Sequence, residues 1–148
     1  MQHISLSGEA DFPFSQAVRG GDLLFVAGQL AADDTDWPGP STIEAETTAA
    51  MARIGRVLAA AGATFSDVMR VGVFMVDLDQ FNRMNAVYRT FFDGPKLPAR
   101  TCVGVAGLLG GALIEIDCVA RVGVDPLRPG GPYRDRTIAA ASSAAASV

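Results

Sequence analysis

In residues 112–122 every even position is apolar (Ala112, Ile114, Ile116, Cys118, Ala120, Val122), whereas the odd positions read Leu113, Glu115, Asp117, Val119 and Arg121. A period of two marks a β-strand, whose successive side chains point to opposite sides of a sheet. One face of this strand is expected to be wholly buried against helices. The other face mixes two carboxylates and a guanidinium with apolar neighbours. It is too apolar for bulk solvent and too charged for a core. A subunit interface that contains a polar pocket satisfies both demands.

The rest of the chain supplies the helices. Thr42 is placed to cap a helix over residues 42–61, with Gly62 as its C-terminal stop. Ile43, Thr47, Ala50, Ile54, Val57 and Ala61 recur at spacings of three or four and mark its buried face. Residues 68–76 are valine-rich and nearly unbroken in apolarity, as a central strand would be. Asp77 or Asp79 can cap a second helix to about residue 92, whose apolar surface includes Phe81, Met84, Tyr88, Phe91 and Phe92. Strands are further expected near residues 3–6, 14–18, 23–27 and 101–106. The order β-β-β-α-β-α-β-β predicts an α+β fold, with two helices on one face of a five- or six-stranded sheet. At 148 residues the chain fits one domain, here residues 1–124. Residues 33–41 read as a loop. Residues 125–148 read as a Pro/Gly linker and an Ala/Ser-rich tail that cannot build a core.

Composition removes several classes of function. The net charge is −4 without a basic run, which weighs against nucleic-acid binding. No stretch approaches the ~20 apolar residues of a membrane span, and the N-terminus lacks the layout of a signal peptide. Two cysteines do not make a disulfide framework, so a cytoplasmic setting with free thiols is expected. The single histidine, His3, stands in no cluster with metal-ligand spacing, and no dinucleotide or Walker glycine pattern occurs.

Arg100 is the candidate for carrying chemistry. It lies in Pro98-Ala99-Arg100-Thr101-Cys102-Val103, just before the glycine-rich turn that leads to residues 112–122. If the last two strands form a hairpin with Val105 opposite Ala112, Cys102 lies opposite Glu115 and Arg100 opposite Asp117. All four then share the face away from the helices, and Arg100 and Glu115 become diagonal neighbours about 7–8 Å apart. A slip of one residue would part them. The same register puts Cys118 on the other face from Cys102. Arginine grips a carboxylate through two parallel charge-assisted hydrogen bonds, and a glutamate can hold and polarise water. A structural ion pair of Arg100 with Asp117 or Glu115 fits the same spacing equally well. Cys102 has no histidine to activate it and reads more readily as a buried thiol than as a nucleophile.

These motifs, with Gly111-Ala112-Leu113-Ile114-Glu115-Ile116-Asp117, resemble the signature of the RidA (YjgF/YER057c) family of reactive-intermediate deaminases. The likeness runs from about Phe12 to Val122. It includes Pro13-Phe14-Ser15-Gln16, Val26-Ala27-Gly28-Gln29, Asp77-Leu78, Phe81, Asn85 and Tyr88. The resemblance implies a chorismate-mutase-like fold with a mixed sheet, assembled as a homotrimer with pockets between subunits. It also implies cofactor-free hydrolysis of enamine and imine intermediates such as 2-aminoacrylate to 2-keto acids and ammonia. By the same resemblance Arg100 would bind the carboxylate and Glu115 would position water. Phe14, Gly28, Cys102 and Asn85 would complete the substrate site, with Phe14 a wall from the adjacent subunit. Three residues depart from the family pattern: Phe14 replaces the usual tyrosine, Leu109 a proline, and Arg53 a common asparagine. A non-catalytic trimer that senses a small carboxylate would use the same arginine. Ribonuclease activity, attributed to some relatives, fits the acidic charge poorly.

Overall fold

The computed structural model describes residues 1–6, 13–31 and 41–123. The tail expected at 125–148 lies outside them, as does all of the expected loop at 33–41 except Ser41. Six strands form one mixed sheet: β1 (Gln2–Ile4), β2 (Ala17–Gly20), β3 (Leu23–Gln29), β4 (Val68–Met75), β5 (Ala99–Gly104) and β6 (Ile114–Arg121). Two helices, α1 (Ile43–Ala60) and α2 (Phe81–Tyr88), cover one of its faces. The expected α+β architecture is the observed one. No helix among the described residues is long and apolar enough to cross a membrane.

Helix α1 forms where its caps and its stripe agree. The Thr42 hydroxyl accepts from the Ala45 N–H at 3.3 Å, and Glu44 and Glu46 lie in the first turn, where the helix dipole favours anions. The chain leaves the helix through Gly62 at φ +74°, a left-handed conformation suited to glycine. Ile43, Thr47, Ala50, Ile54 and Val57 are buried, as their spacing requires. They meet a sheet face made by Leu24 and Val26 of β3, Val71, Val73 and Met75 of β4, and Ile114, Ile116, Cys118 and Ala120 of β6. Each large aliphatic side chain so buried contributes about 1.5–3 kcal/mol. The alternation in β6 is therefore real: its even positions face the helices, while Glu115, Asp117 and Val119 are only half-buried.

The second helical segment is shorter than expected. Asp77 accepts from the Asp79 N–H at 2.9 Å and caps a 3₁₀ turn at Leu78–Gln80. Helix α2 follows, and a second 3₁₀ turn, Arg89–Phe91, tightens its end. There the Arg89 guanidinium donates to the carbonyls of Phe92 and Gly94, which turns the chain off the helix axis. The strand expected from residue 14 starts at Ala17 instead. Just before it the Gln16 side chain turns inward, and the Gln16 backbone carbonyl accepts from the Ala27 N–H at 2.9 Å.

The strand order is β1-β2-β3-β6-β4-β5. Strands β5 and β6 do not pair, which overturns the hairpin expected between them. The crossover through α2 lays β5 parallel to β4, and β6 runs antiparallel along the opposite edge of β4. The glycine-rich link steps over the end of the strand in between. Val105 N–H donates to the Met75 carbonyl at 2.8 Å, and Val76 N–H to the Leu113 carbonyl at 3.2 Å.

Candidate functional site

Inserting β4 redistributes the expected site residues. Across the sheet, Arg100 is level with Val71 and Cys118, Cys102 with Val73 and Ile116, and Phe74 with Glu115 and Val103. Side chains level with one another on neighbouring strands share a face. Arg100 and Cys102 therefore lie on the helix side, and Glu115 and Asp117 on the open side. The expected shared face of Arg100 and Glu115 does not exist within one chain. The intrachain ion pair of Arg100 with either carboxylate falls with it. Cys118 and Cys102 share a face after all. They stand two strands apart, roughly 10 Å, beyond disulfide reach, and both thiols are free.

Arg100 sits half-buried at the edge of the helix layer. Its guanidinium carbon is 4.6 Å from the Tyr88 ring centre and 5.4 Å from that of Phe81, both on α2. Aromatic faces attract a cation and fix the plane of its fork without occupying its N–H groups. Among the described residues no carboxylate pairs with it. A cleft of about 610 Å³ opens beside it, lined also by Asn82, Asn85, Ala86, Tyr88 and Leu97. Asn85 and Arg100 are thus brought together. Burial pushes the Tyr88 phenol up to about 12, partly opposed by the Arg100 cation, and its buried hydroxyl has no hydrogen-bond partner among the described residues. Cys102 touches the Met75 sulfur at 3.8 Å. Burial raises its thiol, with Arg100 acting in the opposite sense. A neutral thiol of that kind lines a pocket rather than attacking a carbonyl.

Glu115 belongs to a different construction. Between the pairs Val26–Cys118 and Gln29–Ile116, β3 carries one residue more than β6, so Ala27 and Gly28 form a bulge. The Glu115 carboxylate fills the space that a Cβ on Gly28 would need. Glycine is required there for close approach. Asp117 repeats the arrangement, accepting from the Gly72 N–H at 2.9 Å. Phe14 lies 53% exposed ahead of β2. Around Glu115 and Asp117 the open face carries Val18, Phe25, Phe74, Val103 and Val119, with Phe25 52% exposed.

Two features of the site are not evident from residue spacing. Tyr88 and Phe81 looked like plain core, yet they form the platform under Arg100. Behind Gly28 lies a buried polar chain in which Arg53 Nε donates to Gln29 Oε1 at 3.2 Å and Gln29 Nε2 donates to Gln16 Oε1 at 3.0 Å. Its signal was present: Arg53 and Glu46 fall on the same stripe of α1 as the apolar residues that defined the buried face.

Comparison with known proteins places the chain. The family described as endoribonuclease L-PSP matches residues 7–122. A RutC family protein of Synechocystis is 38% identical over 110 residues, covering 73% of this chain and 85% of that protein. The mouse 2-iminobutanoate/2-iminopropanoate deaminase is 34% identical over 109 residues, covering 73% and 80%. Among solved structures, RidA from the Antarctic bacterium Psychrobacter superposes with a TM-score of 0.75 at 29% identity, over 82% of this chain and all of that one. TdcF of E. coli, solved with bound serine, gives 0.76 at 28%, over 83% and 100%.

Proposed function

The chain belongs to the endoribonuclease L-PSP family, which includes the RidA and YjgF proteins, and from that premise we propose that it hydrolyses small 2-imino acids of the 2-aminoacrylate class to 2-keto acids and ammonia. The observation that carries this reading is Arg100: a half-buried guanidinium held on two aromatic rings beside a cleft, with no carboxylate of its own among the described residues. Such a group calls for an anion from outside the chain. A substrate carboxylate supplies one, and mouse and rat relatives at 34–35% identity are named for imine substrates.

The chemistry needs little beyond position. Arg100 holds the carboxylate and turns the imine carbon toward water. Glu115 accepts a proton as the water oxygen bonds to that carbon. Glu115 returns that proton to nitrogen to give a carbinolamine and then relays the hydroxyl proton to the same nitrogen as the C–N bond breaks, so ammonia leaves and the water oxygen becomes the keto oxygen. Because Arg100 and Glu115 lie on opposite faces of one sheet, the reading requires two copies of the chain, one offering Arg100 and the other Glu115. The uncovered face bearing Phe25, Phe74, Val103 and Val119 supports such an assembly, and a closed homotrimer is the form proposed. Phe14, half-exposed, is the residue proposed to wall a neighbour's pocket, with Gly28 and Cys102 lining it.

The test generates 2-aminoacrylate in situ with a serine dehydratase and follows imine decay with and without the protein. The proposal expects faster decay, lost in Arg100→Ala. Unchanged decay at high protein concentration overturns it. If a 2-keto acid saturates the protein while no imine is turned over, carboxylate sensing is the correct function, a reading favoured by the serine bound to the TdcF relative. RNA cleavage, after which the family is named, would need salt-dependent RNA binding by a chain of net charge −4.

A further inference from the structure

Helix α1 buries two charged side chains, Glu46 at 4% and Arg53 at 1% exposure. They stand seven positions apart, two helical turns, and so share one face. Ionised groups are rarely buried this deeply unless bonded to something specific. Each holds a strand. Glu46 accepts from the Leu113 N–H at 2.7 Å and from the Ser41 hydroxyl at 2.8 Å. Arg53 donates to the carboxamide oxygen of Gln29. Gln29, itself fully buried, spends its NH₂ on the Gln16 carboxamide and the Ala27 carbonyl, each at 3.0 Å.

These are the backbone segments between which Glu115 lies. Leu113 is two residues before it, immediately ahead of β6. Ala27 and Gly28 form the bulge that its carboxylate rests on, and Gln29 follows directly. Two apolar residues at 46 and 53 would pack the helix against the sheet just as well. They would leave the Leu113 N–H and the Gln29 carboxamide without these bonds.

We propose that Arg53 is a positioning residue for Glu115: it fixes Gln29, Gln29 fixes the Ala27–Gly28 bulge, and the bulge sets the carboxylate on the far face of the sheet. Glu46 anchors β6 from the same helix. The role assigned to Glu115 rests on the deaminase reading. Arg100 is held by α2 and Glu115 by α1, so substrate binding and water positioning are set by separate elements. Damage to the α1 link should therefore lower kcat and leave KM alone.

The experiment compares Arg53→Met, which removes the donor, with Arg53→Gln, which keeps an N–H donor without charge, and with Gln29→Met, all as assembled protein well below its melting temperature. Arg53→Met and Gln29→Met are expected to lower kcat about 10- to 100-fold with KM held within about two-fold. Arg53→Gln should recover most of the loss, and the double variant should be no worse than either single one. Unchanged kcat, parallel loss of kcat and KM, or multiplicative losses would overturn the proposal. Should Arg53→Met not fold, Gln29→Met breaks the same link from the strand side. A second readout needs no turnover. The Gly28 amide and Glu115 carboxyl resonances should move in Arg53→Met and return toward wild type in Arg53→Gln. Resonances that stay put refute the positioning role. Resonances that move in a protein that hydrolyses no imine refute the deaminase reading alone.

Discussion

At the scale of single residues, Arg100 and Glu115 were legible because each is an ionisable group set in an apolar strand, which sequence alone makes conspicuous. Arg100→Ala should cost the charge-assisted bonds to the substrate carboxylate, about 1.5–3 kcal/mol. That is a fall of about 10- to 150-fold in kcat/KM, read from steady-state imine hydrolysis. Arg100→Lys should recover only part of it, because an ammonium keeps the charge but lacks the planar fork that Tyr88 and Phe81 hold flat. Equal activity in Arg100→Lys and wild type would show that charge alone matters. Arg53 and Glu46 were less legible for a simple reason. A buried stripe is marked by apolar residues at three-and-four spacing, and a charged residue on that stripe breaks the pattern without showing what it bonds to.

At the scale of elements, local signals were dependable and pairings were not. Thr42, the apolar stripe and Gly62 delimit α1 almost to the residue, since caps and periodicity act within a turn or two. Thr42→Ala should therefore destabilise the protein by about 0.5–2 kcal/mol, measured as a lower urea midpoint at unchanged slope. No change would mean that the Ala45 N–H finds another acceptor. The parity of β6 was correct for the same local reason. Its partner was not, because the turn glycines of residues 107–111 suit a hairpin as well as a link that steps over β4. Parity within one strand says which residues share a face. Parity between two strands depends on whether another lies between them, and that is settled by the crossover through α2 ahead of β5 and not by the turn after it.

At the scale of the whole molecule, the core and the open face make different demands on solution conditions. Burial pushes Cys118 and Tyr88 both up to about 12, from ordinary values of 9.0 and 10.0. Their neutral forms are favoured in the fold, whereas the unfolded chain releases these protons first. Stability from these groups is thus complete below about pH 9 and is lost as pH rises toward 12. Urea midpoints should decline over that interval, and Cys118→Ala should make the decline shallower; a flat profile would contradict the burial of both groups. The open face is legible in the mixed odd positions of β6, but the assembly proposed across it is not written in local pattern. The central claim is that one chain offers Arg100 and another Glu115. Arg100→Ala and Glu115→Gln proteins, each strongly impaired alone, should be co-refolded one to one and the mixed assembly confirmed by mass. In a cyclic assembly with random placement, about a quarter of the pockets regain both groups, so about a quarter of wild-type activity should return. Mixed assemblies no more active than their parents would contradict the claim.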